Sequence, residues 1–221
     1  MEQPLVIALS KGRLLETAIA LFKKVGVVPD KFSTKSRRLT FEDKKSGVKI
    51  LLVRAVDVPT YVEYGAADIG IAGKDLLIEQ MCDVYEPVDL KFGECRIVLA
   101  EVDTANNAPN HRGYSKLRVA TKYPNITERY FSEKGLPIEI IKLYGSIELA
   151  PLVGLADQIV DLSSSGETLR LHHLKVVDEI ASCSARLVVN RASLKLKYPS
   201  IQKMIRDIKK VVGRKQELPV S

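Results

Sequence analysis

Short apolar runs alternate with stretches of helical periodicity along most of this chain, and the alternation restricts the folds that it can adopt. The apolar run Leu5–Leu9 precedes Arg13–Val25, in which apolar residues recur every three or four positions. Leu117–Thr121, a helical segment near Ile126–Gly135 and the run Ile138–Leu143 repeat this succession and predict a β-α-β unit. Because alternating strands and helices are typical of α/β proteins, we expect an α/β fold with a mostly parallel sheet.

The remaining segments extend this pattern and predict two lobes. Further strands are predicted at Asp68–Ala72, Arg96–Glu101, Val176–Glu179 and Arg186–Asn190, a hairpin at Leu39–Glu42 and Val48–Val53, helices after Asp57 and Gly73, at Glu148–Leu152 and at Ile201–Val212, and a surface loop at Asp103–Tyr114. Asp57 is expected to cap its helix, with Pro59 in the first turn. We predict one lobe from residues 1–90 plus 183–221, a second from residues 91–182, and ligands in the central cleft between them.

The net charge of +7 raises the question of a nucleic-acid or polyanion partner. Much of the charge lies in the C-terminal segment, where apolar residues at helical spacing predict an amphipathic helix with a solvated basic face. No aromatic residue lies between those basic residues to stack on bases. We therefore expect no nucleic-acid partner and keep a small polyanion as the alternative.

Cysteine and histidine usage argues against a disulfide framework or a metal site. The three cysteines are scattered and form no C-x-x-C pair, which is typical of reduced thiols. His172 and His173 are adjacent, so on a helix they point in different directions. No apolar run approaches the ~20 residues of a membrane span, and the N-terminus lacks the features of a signal peptide. We expect a cytoplasmic protein with no membrane contact.

The segment around Asp161 has the layout of a phosphate-binding turn. An apolar strand brings Asp161 to its carboxyl end, and Ser163, Ser164, Ser165, Gly166 and Thr168 follow before a helix start. Small residues let backbone N–H groups approach an anion, and hydroxyls donate further hydrogen bonds. An acid at a strand end meets sugar hydroxyls in dinucleotide-binding folds, so the pattern favours a ribose phosphate. The alternative is an ordinary strand–helix turn capped by Ser165.

Two cationic turns and a glycine pair are further candidates for a binding site. Ser10-Lys11-Gly12-Arg13 lies between a strand and a helix, and Ser36-Arg37-Arg38 has a similar composition. Such cations hold polyphosphates, although solvated turns of this composition are common. Gly70 and Gly73 flank the end of a predicted strand, where bare backbone could meet a purine. Gly70–Asp75 lacks the spacing of a Walker loop, which argues against a P-loop ATPase.

Several long motifs occur in series and together resemble the ATP phosphoribosyltransferases, which catalyse the first step of histidine biosynthesis. The motifs are Ser10–Arg13, Asp57–Val62, Asp68–Asp75, Ala120–Tyr123 and Lys142–Asp157, the last running into the serine-rich turn. The resemblance extends from about Leu5 to Lys195. It implies a fold of two α/β lobes like type II periplasmic binding proteins. It also implies the short form of the family, which works as a homodimer in a hetero-octamer with a regulatory subunit resembling histidyl-tRNA synthetase.

The resemblance implies a reaction in which N1 of ATP attacks C1 of 5-phosphoribosyl 1-pyrophosphate (PRPP), with Mg²⁺ bound through PRPP. Together with the chemistry, it assigns the PRPP site to Glu148, Asp161, Ser163, Ser164, Ser165, Gly166, Glu167 and Thr168. Arg13, Arg37 and Lys11 are the candidates for the pyrophosphate, and Arg13, Asp68, Gly70 and Gly73 for ATP. For Asp68, a structural role as a loop or cap acid is the alternative.

The chain departs from the family pattern in two places near the PRPP turn. His172-His173-Leu174 stands where the family usually has Asn-Gly-Leu, so a helix end that a glycine would close must be closed differently. Glu167 puts a negative charge in a turn meant for phosphate, and we expect its side chain to point outward.

Two other functions share parts of this pattern. A periplasmic solute-binding protein would have the two lobes but no turnover, and the phosphate turn argues against it. A phosphoribosyltransferase acting on another base is the closer alternative. The motifs outside the PRPP turn, which are expected to face ATP, argue against that alternative.

Overall fold

The computed structural model describes residues 4–28, 32, 36–43, 47–103 and 116–214. The strands are β1 Leu5–Ser10, β2 Thr40–Asp43, β3 Val48–Val53, β4 Ile69–Gly73, β5 Tyr85–Asp89, β6 Cys95–Val102, β7 Leu117–Thr121, β8 Ile138–Lys142, β9 Gln158–Ser163, β10 Leu174–Cys183 and β11 Ala185–Val189. The helices are α1 Leu15–Lys24, α2 Val58–Glu63, α3 Lys74–Gln80, α4 Pro124–Glu133, α5 Leu149–Leu152, α6 Glu167–Leu171, α7 Arg191–Leu196 and α8 Tyr198–Arg214. The loop predicted at Asp103–Tyr114 lies, apart from Asp103, outside the described residues.

The strands form two mixed sheets. The first sheet has the order β2-β3-β1-β4-β11-β5 and the second has the order β10-β6-β9-β7-β8. Among the strands of the described residues, only β3-β1-β4 and β9-β7-β8 pair in parallel, and the other neighbours are antiparallel. The α/β class is confirmed, but the expectation of a mostly parallel sheet is wrong. Apolar periodicity predicts that a strand exists and does not fix its direction, which depends on how the chain returns to the sheet.

The chain divides into two compact units, each containing one sheet. The first unit consists of residues up to Leu77, Met81–Gly93 and the residues from Ser184 onward, and it contains the first sheet. The second unit consists of Ile78–Gln80 and Glu94–Cys183, and it contains the second sheet.

The first sheet is covered by helices on both faces. Phe22 of α1 and Ile205 and Ile208 of α8 pack with Ile7 and Leu9 of β1 in one buried cluster. On the other face, α2 packs against a smaller cluster formed by its own Val58 and Val62 with Ala8, Ala72 and Val188. The amphipathic C-terminal helix is confirmed, since four basic residues of α8 are exposed: Lys203, Arg206, Lys209 and Lys210.

In the second unit, α5 and α6 pack on one face of the sheet. Ala150 and Leu169 of these helices share a buried cluster with Val98, Ala120 and Ile159. Helix α4 begins where a carboxylate from another segment replaces a local cap. The Glu79 carboxylate accepts hydrogen bonds from the backbone N–H groups of Asn125 (3.1 Å) and Ile126 (3.0 Å), which satisfies two donors of the first turn.

Two local expectations need correction. Asp57 precedes α2 with Pro59 in the first turn, but its side chain makes no capping hydrogen bond. A 3-10 turn at Ala55–Asp57 gives Asp57 helical dihedral angles (φ −91°, ψ −18°), whereas a capping residue needs an extended backbone. Helix α7 was not predicted, and it begins with a side-chain cap: Asn190 accepts a hydrogen bond from the Ser193 backbone N–H (2.8 Å).

Candidate functional site

The carboxyl ends of the parallel strands of the second sheet bring the predicted PRPP residues together. Strand β7 pairs in parallel with β9, with Thr121 opposite Val160. Residues that follow these strands therefore lie at one edge: Lys122 after β7, and the serine-rich loop, Ser163–Thr168, at the end of β9. This edge carries most of the residues that the sequence assigned to PRPP.

The serine-rich loop makes a tight turn at Gly166. Gly166 has a left-handed backbone (φ +75°), which favours glycine. Ser165 Oγ accepts a long hydrogen bond from the Glu167 backbone N–H (3.3 Å). Ser165 therefore bonds to the start of α6, as the alternative of a capped turn predicts. Ser164, Ser165, Glu167 and Thr168 are exposed, and Glu167 is thus on the surface as expected. Helix α6 has only five residues, so its dipole adds little to anion binding.

The Ser163 hydroxyl is a buried polar group that lacks a hydrogen bond. Ser163 is 5% exposed, and its Oγ has no hydrogen-bond partner among the described residues. A buried hydroxyl in that state costs free energy unless a ligand or water satisfies it. A Cβ built on Gly166 would lie 3.9 Å from Ser163 Oγ, an ordinary contact distance, so Gly166 borders this hydroxyl.

Asp161 is a buried acid on the same face of β9 as Ser163. The two residues are two positions apart in a strand, so their side chains share a face. Asp161 is 8% exposed, and burial raises the pKa of its carboxyl group. Lys122 opposes that effect, with its Nζ 3.2 Å from Asp161 Oδ1, while Glu148 at the start of α5 adds a second negative charge nearby. The carboxylates of Asp161 and Glu148 therefore lie near the loop. Carboxylates can accept hydrogen bonds from sugar hydroxyls.

A second group of predicted residues gathers at the corresponding edge of the first sheet. Strand β1 pairs in parallel with β3, with Ser10 opposite Val53, and the Lys11 N–H donates to the Val53 carbonyl (3.1 Å). The Leu52 N–H donates to the Leu39 carbonyl (2.8 Å), so the segment before β2 runs beside the same strand end. This edge therefore carries five exposed cations: Lys11, Arg13, Arg37, Arg38 and Arg54.

Gly73 lies at this cationic edge, whereas Asp68 lies at the opposite end of its strand. Ile69 pairs with Ile7 near the start of β4, so Asp68 and Gly73 are separated by the length of the strand, about 16 Å. Asp68 is 4% exposed, and its carboxylate accepts hydrogen bonds from the Val6 N–H (2.8 Å) and the Ser193 hydroxyl (2.7 Å) and pairs with Lys197 (2.8 Å). The geometry favours the structural alternative for Asp68.

Gly70 is enclosed by helix α2. A Cβ built there would lie 2.8 Å from Val62 Cγ2, 2.9 Å from Val58 Cγ1 and 3.3 Å from the Ala8 carbonyl oxygen. The missing side chain allows α2 to pack closely on β4, and the residue is buried. Packing of this kind explains the glycine without an ATP contact. At Gly73, a built Cβ would collide with the Asp75 carboxylate, which folds back over the start of α3.

Lys122 lies at the edge of the second sheet beside Asp161, and the sequence analysis did not include it among the candidate site residues. Lysine in a turn carries no signal by itself. Strand pairing is what brings Lys122 to Asp161, because a residue just after β7 must lie near a residue just before the end of the parallel strand β9.

Among the described residues, no group of three or more His, Cys, Asp or Glu side chains is placed to hold a metal ion. None of the described helices has the length and apolar character needed to cross a membrane.

The comparisons with known proteins point to one family. The family model of the ATP phosphoribosyltransferases, HisG, matches residues 54–210. An ATP phosphoribosyltransferase from Geobacter metallireducens is 54% identical over 212 residues, which is 96% of this chain and 100% of that protein. The chain belongs to the ATP phosphoribosyltransferase family. It transfers the 5-phosphoribosyl group of PRPP to N1 of ATP, giving phosphoribosyl-ATP and pyrophosphate in the first step of histidine biosynthesis.

More distant relatives of this phosphoribosyltransferase support the same assignment. A relative from Caldanaerobacter subterraneus is 50% identical over 94% of this chain and 97% of that protein. The solved HisG:HisZ complex of ATP phosphoribosyl transferase from Thermotoga maritima has a chain that is 36% identical, with a TM-score of 0.81 over 95% of this chain and 99% of that one. The periplasmic sulphonate-binding protein SsuA from Escherichia coli, 15% identical, has a TM-score of 0.58 over 98% of this chain and 75% of its own. That likeness concerns the fold alone, and it confirms the predicted type II periplasmic-binding-protein-like fold.

Proposed function

We propose that the carboxyl edge of the second sheet binds the ribose 5-phosphate part of PRPP. Backbone N–H groups and hydroxyls of Ser163, Ser164, Ser165, Gly166, Glu167 and Thr168 hold the 5-phosphate, with the Glu167 side chain in solvent. The single observation that supports this proposal most is the buried Ser163 hydroxyl, which has no hydrogen-bond partner among the described residues and lies beside the left-handed Gly166.

Asp161 and Glu148 complete this proposed site as acceptors for the ribose hydroxyls. Ionised carboxylates accept strong hydrogen bonds and favour positive charge close by. When the C1–O bond to pyrophosphate breaks, the ribose carbon gains oxocarbenium character, and the two carboxylates stabilise that charge. The N1 lone pair of adenine forms the new bond to C1 with inversion, and the electron pair of the broken bond leaves with the pyrophosphate oxygen. No general base is needed, because N1 is unprotonated at neutral pH.

The cationic edge of the first sheet is the proposed site for the pyrophosphate and for ATP. Arg13, Arg37 and Lys11 are exposed cations without acidic partners in the ion pairs of the described residues. Their charge offsets the charge of the leaving group, and Arg13 also approaches ATP beside Gly73. Asp68 and Gly70 are left out of this proposed ATP site, because the first is hydrogen-bonded within the fold and the second is covered by α2.

Mg²⁺ bound through the oxygens of PRPP would neutralise part of the pyrophosphate charge. The pyrophosphate itself supplies the hard oxygen ligands that Mg²⁺ prefers. Adding EDTA should stop turnover, and adding Mg²⁺ in excess should restore it.

A homodimer within a hetero-octamer with a HisZ-like subunit is the proposed assembly, and the cytoplasm is the proposed location. The HisG:HisZ complex from Thermotoga maritima supports a partner of this kind. Light scattering of the chain with and without a HisZ-like subunit tests the stoichiometry, and cell fractionation tests the location.

The matched pair Gly166→Val and Gly135→Val tests the PRPP site. Both glycines have left-handed backbones, φ +75° and φ +67°, and a Cβ on Gly135 meets nothing within 4 Å. The conformational strain of a side chain, about 1–2 kcal/mol or more, is therefore common to both variants. We expect only Gly166→Val to lose PRPP affinity in calorimetry, by at least about tenfold, because its side chain enters the space beside Ser163 Oγ. A folded Gly166→Val protein that binds PRPP normally would place the phosphate elsewhere.

A further inference from the structure

Lys122 forms an ion pair with the buried acid of the proposed PRPP site. Its Nζ lies 3.2 Å from Asp161 Oδ1, and the Asp161 side chain is only 11% exposed. A second donor to this carboxylate is local: the Leu162 N–H donates to the same oxygen at 2.7 Å. The ammonium of Lys122 is therefore the group from outside β9 that stabilises the charge of Asp161, against the nearby charge of Glu148.

The backbone around Lys122 is fixed on both sides. The Thr121 hydroxyl is completely buried, donates to the Val160 carbonyl (2.7 Å) and accepts from the Tyr123 N–H (2.9 Å). The Tyr123 carbonyl accepts from the Thr127 hydroxyl (2.8 Å), and Tyr123 is itself buried. Lys122 thus extends from a turn that is bonded to the strand carrying Asp161 and to helix α4. Such anchoring fixes the backbone from which the side chain extends, so only the side-chain rotamers of Lys122 remain to be ordered.

Lys122 nevertheless keeps access to solvent and to a ligand. Its side chain is 37% exposed, and its Nζ lies 5.1 Å from the centroid of the Tyr123 ring, a cation–π distance. An ammonium has three N–H donors, and the bond to Asp161 uses one of them. The Ser163 hydroxyl, which has no partner among the described residues, lies on the same face of β9 as Asp161. Asp161 is therefore next to Lys122 on one side and to the serine-rich loop on the other.

We propose that Lys122 is a positioning residue for phosphoribosyl transfer, whose ammonium holds the Asp161 carboxylate as an oriented acceptor for the ribose hydroxyls of PRPP. This inference rests on the proposed PRPP site. It assigns a function to the Ala120–Tyr123 motif, which the proposed substrate contacts leave without one. Lysine serves this purpose because the charge is needed at one oxygen of the acid, while the second oxygen stays available to the ribose.

The test compares Lys122→Met and Lys122→Arg with the control Lys175→Met, all in the full chain. Lys175 forms an ion pair of similar length with Glu101 (3.3 Å) near the other end of the second sheet, so the control removes a more exposed lysine–carboxylate pair away from the loop. We expect Lys122→Met to raise the Kd and KM for PRPP by at least about tenfold and to leave the KM for ATP unchanged. Lys122→Arg should recover most of the PRPP affinity, and Lys175→Met should behave like the unaltered chain.

A wild-type measurement keeps the inference testable even if Lys122→Met fails to fold. In the unaltered chain, the ¹⁵N NMR signal of the Lys122 ammonium should shift on addition of PRPP and stay in place on addition of ATP. An unshifted signal, or a folded Lys122→Met protein with unchanged PRPP affinity, would overturn the role of Lys122. Equal losses for ATP and PRPP with a lowered Tm would also overturn it, in favour of a purely structural role. If the unaltered chain itself does not bind PRPP, the proposed site fails, and the inference fails with it.

Discussion

His173 ends α6 with a left-handed backbone (φ +54°), a conformation that costs a residue with a Cβ about 1 kcal/mol. Its N–H donates to the Arg170 carbonyl (3.0 Å), so the position closes the helix as a glycine would. The resemblance to the family implies a glycine at this position. The chain therefore keeps the glycine geometry with a histidine, and the helix end should be strained.

We predict that His173→Gly raises the free energy of unfolding by about 1 kcal/mol, because glycine adopts this conformation without strain. For a chain of this size the Tm should rise by about 2–4 °C in calorimetry. His172→Gly is the control, since His172 has an ordinary φ of −98° and glycine there should lower stability. Destabilisation by both substitutions would show that His173 contributes contacts that outweigh its backbone strain.

Single residues were the least predictable part of the site. Asp68 and Gly70 both suit a nucleotide site by residue type and by their place near a strand. Their actual neighbours, Ser193, Lys197 and Val62, come from other parts of the chain, which a local pattern does not reveal. The serine-rich loop was predictable because strand, turn and helix are consecutive in the sequence, so its geometry depends mainly on local residues.

At the scale of elements, the close contact of α2 with β4 depends on Gly70. We predict that Gly70→Ala lowers the free energy of unfolding by about 1–3 kcal/mol, because the new methyl group would overlap Val58 and Val62. Adding Val62→Ala should return part of that loss, so the double variant should be less destabilised than the sum of the single variants. Urea unfolding of the four proteins measures this coupling. Additive losses would mean that the helix does not limit the space at Gly70.

Most of the elements could be predicted from apolar periodicity, and their directions could not. Strands β1, β3, β7 and β8 and helices α1 and α8 have clear patterns, and the structure confirms them. Strand β5 was missed because it contains charged residues and a proline in a run of only five residues. Helix α7 was also missed. The antiparallel pairing of β11 with β4 and β5 depends on where the chain re-enters the first sheet, which is a property of the whole topology.

At the scale of the whole molecule, Asp89 links the stability of the first unit to pH. Burial alone would raise the pKa of Asp89, but hydrogen bonds from Ser184 (2.7 Å) and Lys91 and the charge of Arg186 outweigh it and lower the pKa to about 2. Because the folded pKa lies below the ordinary value of 3.8, the stabilisation is fully present above pH 3.8. It is lost as the pH falls through about 2.

We predict that Asp89→Asn lowers stability at neutral pH and loses less further stability than the unaltered chain between pH 4 and pH 2. Ser184→Ala, which removes one hydrogen bond and keeps the carboxylate, should give an intermediate profile. Chemical unfolding at a series of pH values measures both. If the stability of Asp89→Asn falls with pH as steeply as that of the unaltered chain, Asp89 does not cause the loss of stability in acid.

The assignment of the molecule as a phosphoribosyltransferase is tested most directly by its product. The purified chain is incubated with ATP, PRPP and Mg²⁺, with pyrophosphatase present to remove pyrophosphate, and with or without a HisZ-like subunit. We predict that mass spectrometry detects phosphoribosyl-ATP in at least one of the two mixtures, and that its formation is lost in Gly166→Val and kept in Gly135→Val. If both substrates bind and neither mixture forms phosphoribosyl-ATP, the catalytic assignment is contradicted.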